Sequence, residues 1–305
     1  MSILITGASG AFGRMLAERL IAQRPARDLI LVTRKPAALA EFAARGAQVR
    51  YGDFDDSQSL RAAFAGAERM LLISTLDVGE RRRTQHRVAI EQAVAAGVRH
   101  IVYTSSTGIH PHSPAFVVAD HLYTEELLRR CGAAFSFLRD AQYADVLVKI
   151  MAPAAIASGR WVNSTGEGCM AFVAKEDCVS CAAVVLTSDG HEGAAYEITG
   201  PELLTMRDAA RIAAEVSGRP IEYINVTHEA MQAHFDAAGV PRKYVEGAYH
   251  ERGGAWSSQE MMSYERAIRE GYFAVCSHHV RLLTGRPARS VREVFEAHRE
   301  ELRKL

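Results

Sequence analysis

The sequence predicts an α/β protein: a doubly wound parallel sheet with a smaller, mostly C-terminal α+β domain. Three observations predict it. Short apolar runs alternate with stretches of helical period through about the first 140 residues. A glycine-rich turn joins the first of those runs to the first helical stretch. The chain, at 305 residues, suffices for one large α/β domain or two closely joined ones.

The predicted strands are 3–6 (ILIT), 29–33 (LILVT), 47–51 (AQVRY), 69–74 (RMLLIS), 100–105 (HIVYTS) and 135–139 (FSFLR). Between them, Phe12, Leu16 and Leu20 recur at helical spacing, as do apolar residues in 57–66 and 83–97. The last of these ends at Gly97, a C-cap signal just before the next strand. Strands that alternate with helices imply βαβ units with helices on both sheet faces. Beyond residue 140 the rhythm loosens. Residues 151–168 read as a short helix and a turn-rich loop, and 194–200 as a late strand that returns to the first sheet. Thr205 and Gly218 bound a helix, 220–226 is a strand, and Thr227 opens another helix. A charged amphipathic helix runs from near Ser290 to the end. The division expected is residues 1–150, joined by the returning strand, against residues 151–305.

Lysine plus arginine equals aspartate plus glutamate, 36 against 36, so no electrostatic footprint for nucleic acid exists. No apolar run approaches the ~20 residues that span a bilayer, and the start has no signal-peptide pattern. A cytoplasmic protein is expected. The five cysteines give no disulfide framework. Cys178 and Cys181 form a C-x-x-C without a second pair, so they read as small residues on an alanine-rich helix. His110 and His112 lack a third ligand in sequence, and no metal site is expected. Arg81, Arg82 and Arg83 read as a solvated helix face.

The stretch SILITGASGAFGRMLAERL sets Gly7, Gly10 and Gly13 after a strand and before a helix. That is the Rossmann-like context for a dinucleotide; a turn with no ligand is the bland alternative. Gly7 turns the chain, Gly10 admits a pyrophosphate, and Gly13 lets helix and strand pack closely. The helix start at Ala11 and Phe12 offers free N–H groups and partial positive charge, and Ser9 adds a hydroxyl. About 20 residues further on, an NAD site carries a carboxylate for the ribose 2′-hydroxyl. This chain has Thr33, Arg34 and Lys35 there. Two cations suit an adenosine 2′-phosphate, Arg34 more than Lys35, so NADP(H) is expected ahead of NAD(H). After the third strand, Asp53 is placed to accept from the adenine amino group, with Phe54 near the ring. Ser74 and Thr75 end the fourth strand beside the crevice where such sheets bind ligands.

ITGASGAFGR, VTRKP, YGDFDD and QHRVAIEQAVAAGVRHIVYTSS together resemble the NmrA-like branch of the atypical short-chain dehydrogenase/reductases. Within it, the chain is similar to the bacterial NAD(P)H:quinone oxidoreductase and triphenylmethane reductase group. ADHLYTEELLRRCGAAFSFLRDAQYADVL and LLTGRPARSVREVF extend the likeness over most of the chain; the stretch 240–285 resembles it least. The resemblance implies a Rossmann-like cofactor domain and a smaller substrate domain. Typical short-chain dehydrogenases carry Tyr-x-x-x-Lys after a catalytic serine. Here Ser105 and Ser106 lie on the fifth strand, but no such pair follows; Tyr123 is succeeded four residues later by Leu127. The resemblance places His121 where related reductases have lysine, to orient the nicotinamide ribose or supply a proton. Glu125 follows on the same helix face, within reach of His121. Asp140, Gln142 and Tyr143 follow the sixth strand at the substrate end; Tyr143 reads as a group that stacks on a flat substrate or donates to a developing oxyanion, with a core tyrosine as the bland alternative, and Asp140 stands where the related proteins tend to have asparagine.

The function expected is NADPH-dependent hydride transfer to a quinone or related conjugated aromatic acceptor. Such an acceptor needs little general acid, which fits the missing tyrosine–lysine pair. Two other readings stay open: a reductase of a benzylic ether, ketone or imine of a small aromatic metabolite, and a non-catalytic NADP(H) sensor that docks on a regulator. A homodimer is the default assembly.

Overall fold

Seven parallel strands form one sheet in this computed structural model, which describes residues 1–243 and 257–305. The strands are β1 (Ile3–Ile5), β2 (Leu29–Thr33), β3 (Gln48–Tyr51), β4 (Arg69–Leu72), β5 (His100–Ser106) and β6 (Ala134–Asp140). The later segments are β7 (Arg160–Asn163), β8 (Cys169–Met170), β9 (Ala195–Ile198), β10 (Leu204–Thr205) and β11 (Glu222–Asn225). The large sheet runs β3-β2-β1-β4-β5-β6-β9. Ile5 pairs with Leu31 on one side and Leu71 on the other. The order reverses between β1 and β4, which opens a crevice at their carboxyl ends.

Both sheet faces are covered, so the central strands are apolar throughout rather than alternating. Ile3 and Ile5 face one core with Leu16 and Leu20 of α1 (Ala11–Ile21) and Val179 of α8 (Lys175–Thr187). Leu4 faces the other core. That core holds Phe64 of α3 (Ser57–Phe64), Ile90 of α4 (Glu80–Ala95) and Leu128 of α5 (Phe116–Arg130). The small helix α2 (Ala40–Ala44) adds Phe42 to the first core.

A third core belongs to the second lobe. It begins at α6 (Ala144–Val146), a π-helical turn and α7 (Ala152–Ser158). It continues through α9 (Met206–Ser217), α10 (His228–Ala237) and α11 (Ser258–Arg269). Beyond α12 (His279–Thr284), which packs on the first core, it ends in α13 (Val291–Glu296) and α14 (Arg299–Arg303). Two small sheets join it: β7 with β11 in parallel, and β8 with β10 antiparallel. Thr205 caps α9 in a reciprocal box with Asp208, Gly218 ends it at φ 72°, and Thr227 caps α10. Among the described residues, no helix is long and apolar enough to cross a membrane, and no group of three His, Cys, Asp or Glu could hold a metal.

Three sequence expectations need correction. Strand β7 lies inside the stretch read as loop, where four nearby Pro and Gly residues mask a four-residue strand. The C-terminal helix is two helices. The His298 ring takes the Val294 carbonyl, and the His298 amide turns to Phe295 instead. Arg82 is not on a solvated face: it is 4% exposed. Of the stretch 240–285, residues 244–256 lie outside the described residues.

Candidate active site

The glycine turn sits at the crevice. Gly7 has φ +59°, a conformation L side chains rarely adopt. A Cβ on Gly13 would lie 2.6 Å from the Ala8 Cα, so Gly13 is fixed by packing. A Cβ on Gly10 would meet only the Gly7 carbonyl, at 3.3 Å. Gly10 is the N-cap of α1 and offers no side-chain cap, so the amides of Ala11 and Phe12 have no protein acceptor among the described residues. Ala11 is exposed, and the Phe12 side chain packs into the first core. The Ser9 hydroxyl shares a 2.7 Å hydrogen bond with that of Thr33, which ties the turn to the end of β2. Ser9 is therefore engaged with the protein rather than left free.

Arg34 and Lys35 follow Thr33. Both are exposed, and among the described residues neither side chain forms an ion pair. Asp55, which faces Arg34, is held below its ordinary carboxyl range by Gln85 and Arg81 against the opposing effect of burial. Asp53 closes a tight turn: its Oδ1 accepts from the Asp55 amide at 3.1 Å. Phe54 is half-buried against the second core. Asp56 caps α3 by accepting from the amides of Gln58 and Ser59.

The segment after β4 is clamped from behind. The Ser74 amide donates to Thr104 Oγ1 at 2.9 Å. The Thr75 amide donates to His86 Nε2 at 3.1 Å, and its carbonyl accepts from Arg82 at 2.9 Å. Thr75 Oγ1 is buried with no partner, as are Nε and Nη1 of Arg82. Thr124 donates its hydroxyl proton to the Asp120 carbonyl, so it accepts from His86 Nδ1 at 3.0 Å. The network thereby assigns the His86 proton to Nδ1. Burial, with Arg82 beside it, pushes the His86 pKa down to about 3. His121 is 6% exposed and its Nδ1 lies 2.8 Å from the Tyr103 hydroxyl. Burial pushes the Tyr103 phenol up to about 12, and burial with Arg82 and His86 holds His121 neutral. When the phenol donates to Nδ1, the imidazole proton sits on Nε2. His121 then presents an Nε2–H donor, and a neutral imidazole is a poor acid. This geometry supports the orienting role for His121 over the proton-supplying one.

Ser105 and Glu125 do not join this group. The Ser105 hydroxyl donates to Glu125 Oε1 at 2.8 Å, and Glu125 also accepts a bidentate pair from Arg139 and one bond from Arg129. Glu125 is fully buried in that network. The expected contact between His121 and Glu125 is replaced: Tyr103 takes the histidine and Arg139 takes the carboxylate. Ser105, read as a cofactor residue, is spent on a structural ion cluster.

At the end of β6, Asp140 is 7% exposed. Its Oδ2 accepts from the Tyr143 hydroxyl at 3.0 Å, and its Oδ1 is buried without a partner. Burial raises its pKa to about 7. Tyr143 is half-buried, with Lys175 Nζ 5.2 Å from its ring centroid. Cys178 and Cys181 are buried free thiols on α8, each pushed up by burial and by Asp140.

Sequence reasoning missed Arg82, His86 and Tyr103. A signal existed: Arg82 and His86 are one helical turn apart, and Tyr103 shares a strand face with Ser105.

A parallel sheet with this crevice, a bare glycine turn on a helix N-terminus and two exposed cations beyond β2 define a dinucleotide-binding protein of the Rossmann type. An NAD(P)H-binding family matches residues 7–152. Quinone oxidoreductase 2 of Escherichia coli is 35% identical over 78% of this chain and 82% of its own. The crystal structure of the NADPH-dependent quinone oxidoreductase from that organism with NADPH superposes with a TM-score of 0.86 at 31% identity, covering 97% of this chain and 99% of that one. The Citrobacter sp. triphenylmethane reductase complexed with NADP(H) gives 0.84 at 29% identity, over 97% and 99%. The chain belongs to the NAD(P)H-binding, NmrA-like reductase family, in the group of quinone oxidoreductase 2. Its cofactor is NADP(H).

The residues present fit that group. A Cβ on Gly10 would meet only the Gly7 carbonyl, the first amides of α1 lack acceptors, and Arg34 and Lys35 form no ion pair, among the described residues.

Proposed function

We propose that the chain reduces a quinone or a related conjugated aromatic acceptor with NADPH. The reduced nicotinamide supplies the hydride when bound. The amides of Ala11 and Phe12 with Gly7, Gly10 and Gly13 hold the pyrophosphate. Arg34 and Lys35 engage the 2′-phosphate, and Asp53 and Phe54 border the adenine. Ser74 and Thr75, clamped by Thr104, His86 and Arg82, line the floor toward the nicotinamide. His121 orients the nicotinamide ribose through Nε2–H.

The observation that supports this reading best is the buried, neutral imidazole of His121, backed by Tyr103 at 2.8 Å and lying on the helix after β5. It positions without acting as an acid, which suits an acceptor that needs little proton donation. Named relatives that reduce quinones and triphenylmethane dyes support the acceptor class. The test is absorbance loss of NADPH with the purified protein and a mixed panel of quinones and dyes. Quinone-dependent oxidation is expected. Tight NADPH binding without oxidation by any acceptor would replace the reading with that of a redox sensor.

A further inference from the structure

The end of β6 holds a carboxyl group without a counter-ion. Asp140 is 93% buried by the complement of its 7% exposure, and no lysine or arginine pairs with it among the described residues. Tyr143 contacts it from the loop after β6, and Cys178 and Cys181 face it from α8. Lys175 lies over the Tyr143 ring rather than on the carboxylate, Asp145 adds negative charge near Tyr143, and Asp177 does so near Cys178. One hydrogen bond joins the carboxyl to the phenol, and it has two orientations. With Asp140 ionised, the Tyr143 hydroxyl must point inward, toward Oδ2. With Asp140 protonated, Oδ2–H can donate to the Tyr143 oxygen instead. The phenolic hydrogen is then free of the carboxyl group.

We propose that Asp140 and Tyr143 form a proton-delivery pair that extends the reductase to aromatic ketones, acceptors that must be protonated as they take hydride. This rests on the reductase reading above. Quinones give a stabilised phenolate on hydride addition, whereas a ketone gives a strongly basic alkoxide that needs an acid. The balance is simple. Hydride forms the new C–H bond, and the carbonyl π pair moves to oxygen. The Tyr143 O–H bond breaks as the product O–H forms. Asp140 Oδ2–H then restores the phenol, and water restores the carboxyl group. NADPH loses two electrons and the ketone gains them. Tyr143 touches the acceptor; Asp140 acts through it as a positioning residue and proton store.

The tests compare a quinone with an aromatic ketone at saturating NADPH, across pH, in the wild-type protein and in D140N and Y143F. In the wild type, ketone kcat is expected to fall about tenfold per pH unit above the Asp140 titration, while the quinone rate changes far less. Both variants are expected to lower the ketone-to-quinone ratio of kcat by about 100-fold, with less change in the ketone KM. A second readout needs no turnover. Infrared titration of the protein without cofactor should show a buried protonated carboxyl band that disappears around pH 7 and is absent in D140N. Quinone turnover without ketone turnover overturns the pair alone. So does a ketone-to-quinone ratio untouched by D140N and Y143F, or a band that D140N leaves in place. NADPH binding without quinone turnover removes the reductase reading itself, and the pair with it.

Discussion

Burial at Asp140 has a thermodynamic signature besides any chemistry. Its pKa is raised to about 7, so the folded chain keeps a proton that the unfolded chain releases near the ordinary carboxyl value. The contribution of Asp140 to stability is therefore greatest in acid, falls as pH rises toward 7, and levels off above it. An asparagine has no such charge to desolvate. D140N is expected to match the parent near pH 4 and to exceed it by roughly 2–4 kcal/mol near pH 8.5. Urea unfolding at both pH values measures this; an advantage that does not grow with pH contradicts the sign. At the other end of the cleft, exposed Arg34 forms no ion pair among the described residues and is near only the Asp55 carboxylate. Arg34→Glu is expected to raise the NADPH Kd about 10- to 100-fold, the scale of a lost charged hydrogen bond. NADH, which lacks the 2′-phosphate, should change only a few-fold. Fluorescence titration separates the two, and equal losses would sink the assignment.

The turn between β1 and α1 joins two demands that mutation can separate. Gly13 is held by packing against Ala8, whereas a Cβ at Gly10 would press only on the Gly7 carbonyl, at 3.3 Å. Gly13→Ala is expected to lower stability by about 1–3 kcal/mol through overpacking. Gly10→Ala should lower the melting temperature less than Gly13→Ala and weaken NADPH at least tenfold, because its Cβ occupies the pyrophosphate approach. Melting curves and cofactor titration on the same two variants check both halves. Helix α5 divides similarly. His121 belongs with Tyr103, and Glu125 belongs with Ser105 and Arg139. Glu125→Ala leaves the Arg139 guanidinium short of its partner and is expected to cost about 3–5 kcal/mol. The spacing of four in the sequence was legible; the partners were not, because Tyr103 and Ser105 come from β5 and Arg139 from β6, and only the packing of α5 on the sheet assigns one to each side chain. Likewise the strands β1 to β6, the caps at Thr205, Gly218 and Thr227, and the glycine turn were readable from period and local chemistry. Arg82 was not. A run of three arginines looks solvated until the helix is docked, when only the middle one turns inward to Thr75.

Across the whole molecule, the chain does not finish one lobe before it starts the other. It touches the second core at Ala115 and Val118 before laying β6, enters it again at Ala144, and returns through α8 and β9. It leaves again at Leu204, comes back at Val280, and ends in the second core at Leu302. Residues 1–150 alone would therefore lack the strand that pairs with β6 and the helix that covers α1. That fragment is expected to show no cooperative melting transition by circular dichroism. A sharp transition near that of the full chain would show that the returning segments are dispensable.

The interleaving also bears on how acceptor preference could be exchanged among relatives. A single crossover near residue 150 would swap α8 and β9 along with the second lobe, and so pair one parent's β6 with another parent's β9. It would also separate Asp140 and Tyr143 from the Cys178 and Lys175 that face them. A functional hybrid needs breakpoints on both sides of 175–198, so that the sheet and its covering helix stay with one parent while the second lobe comes from the other.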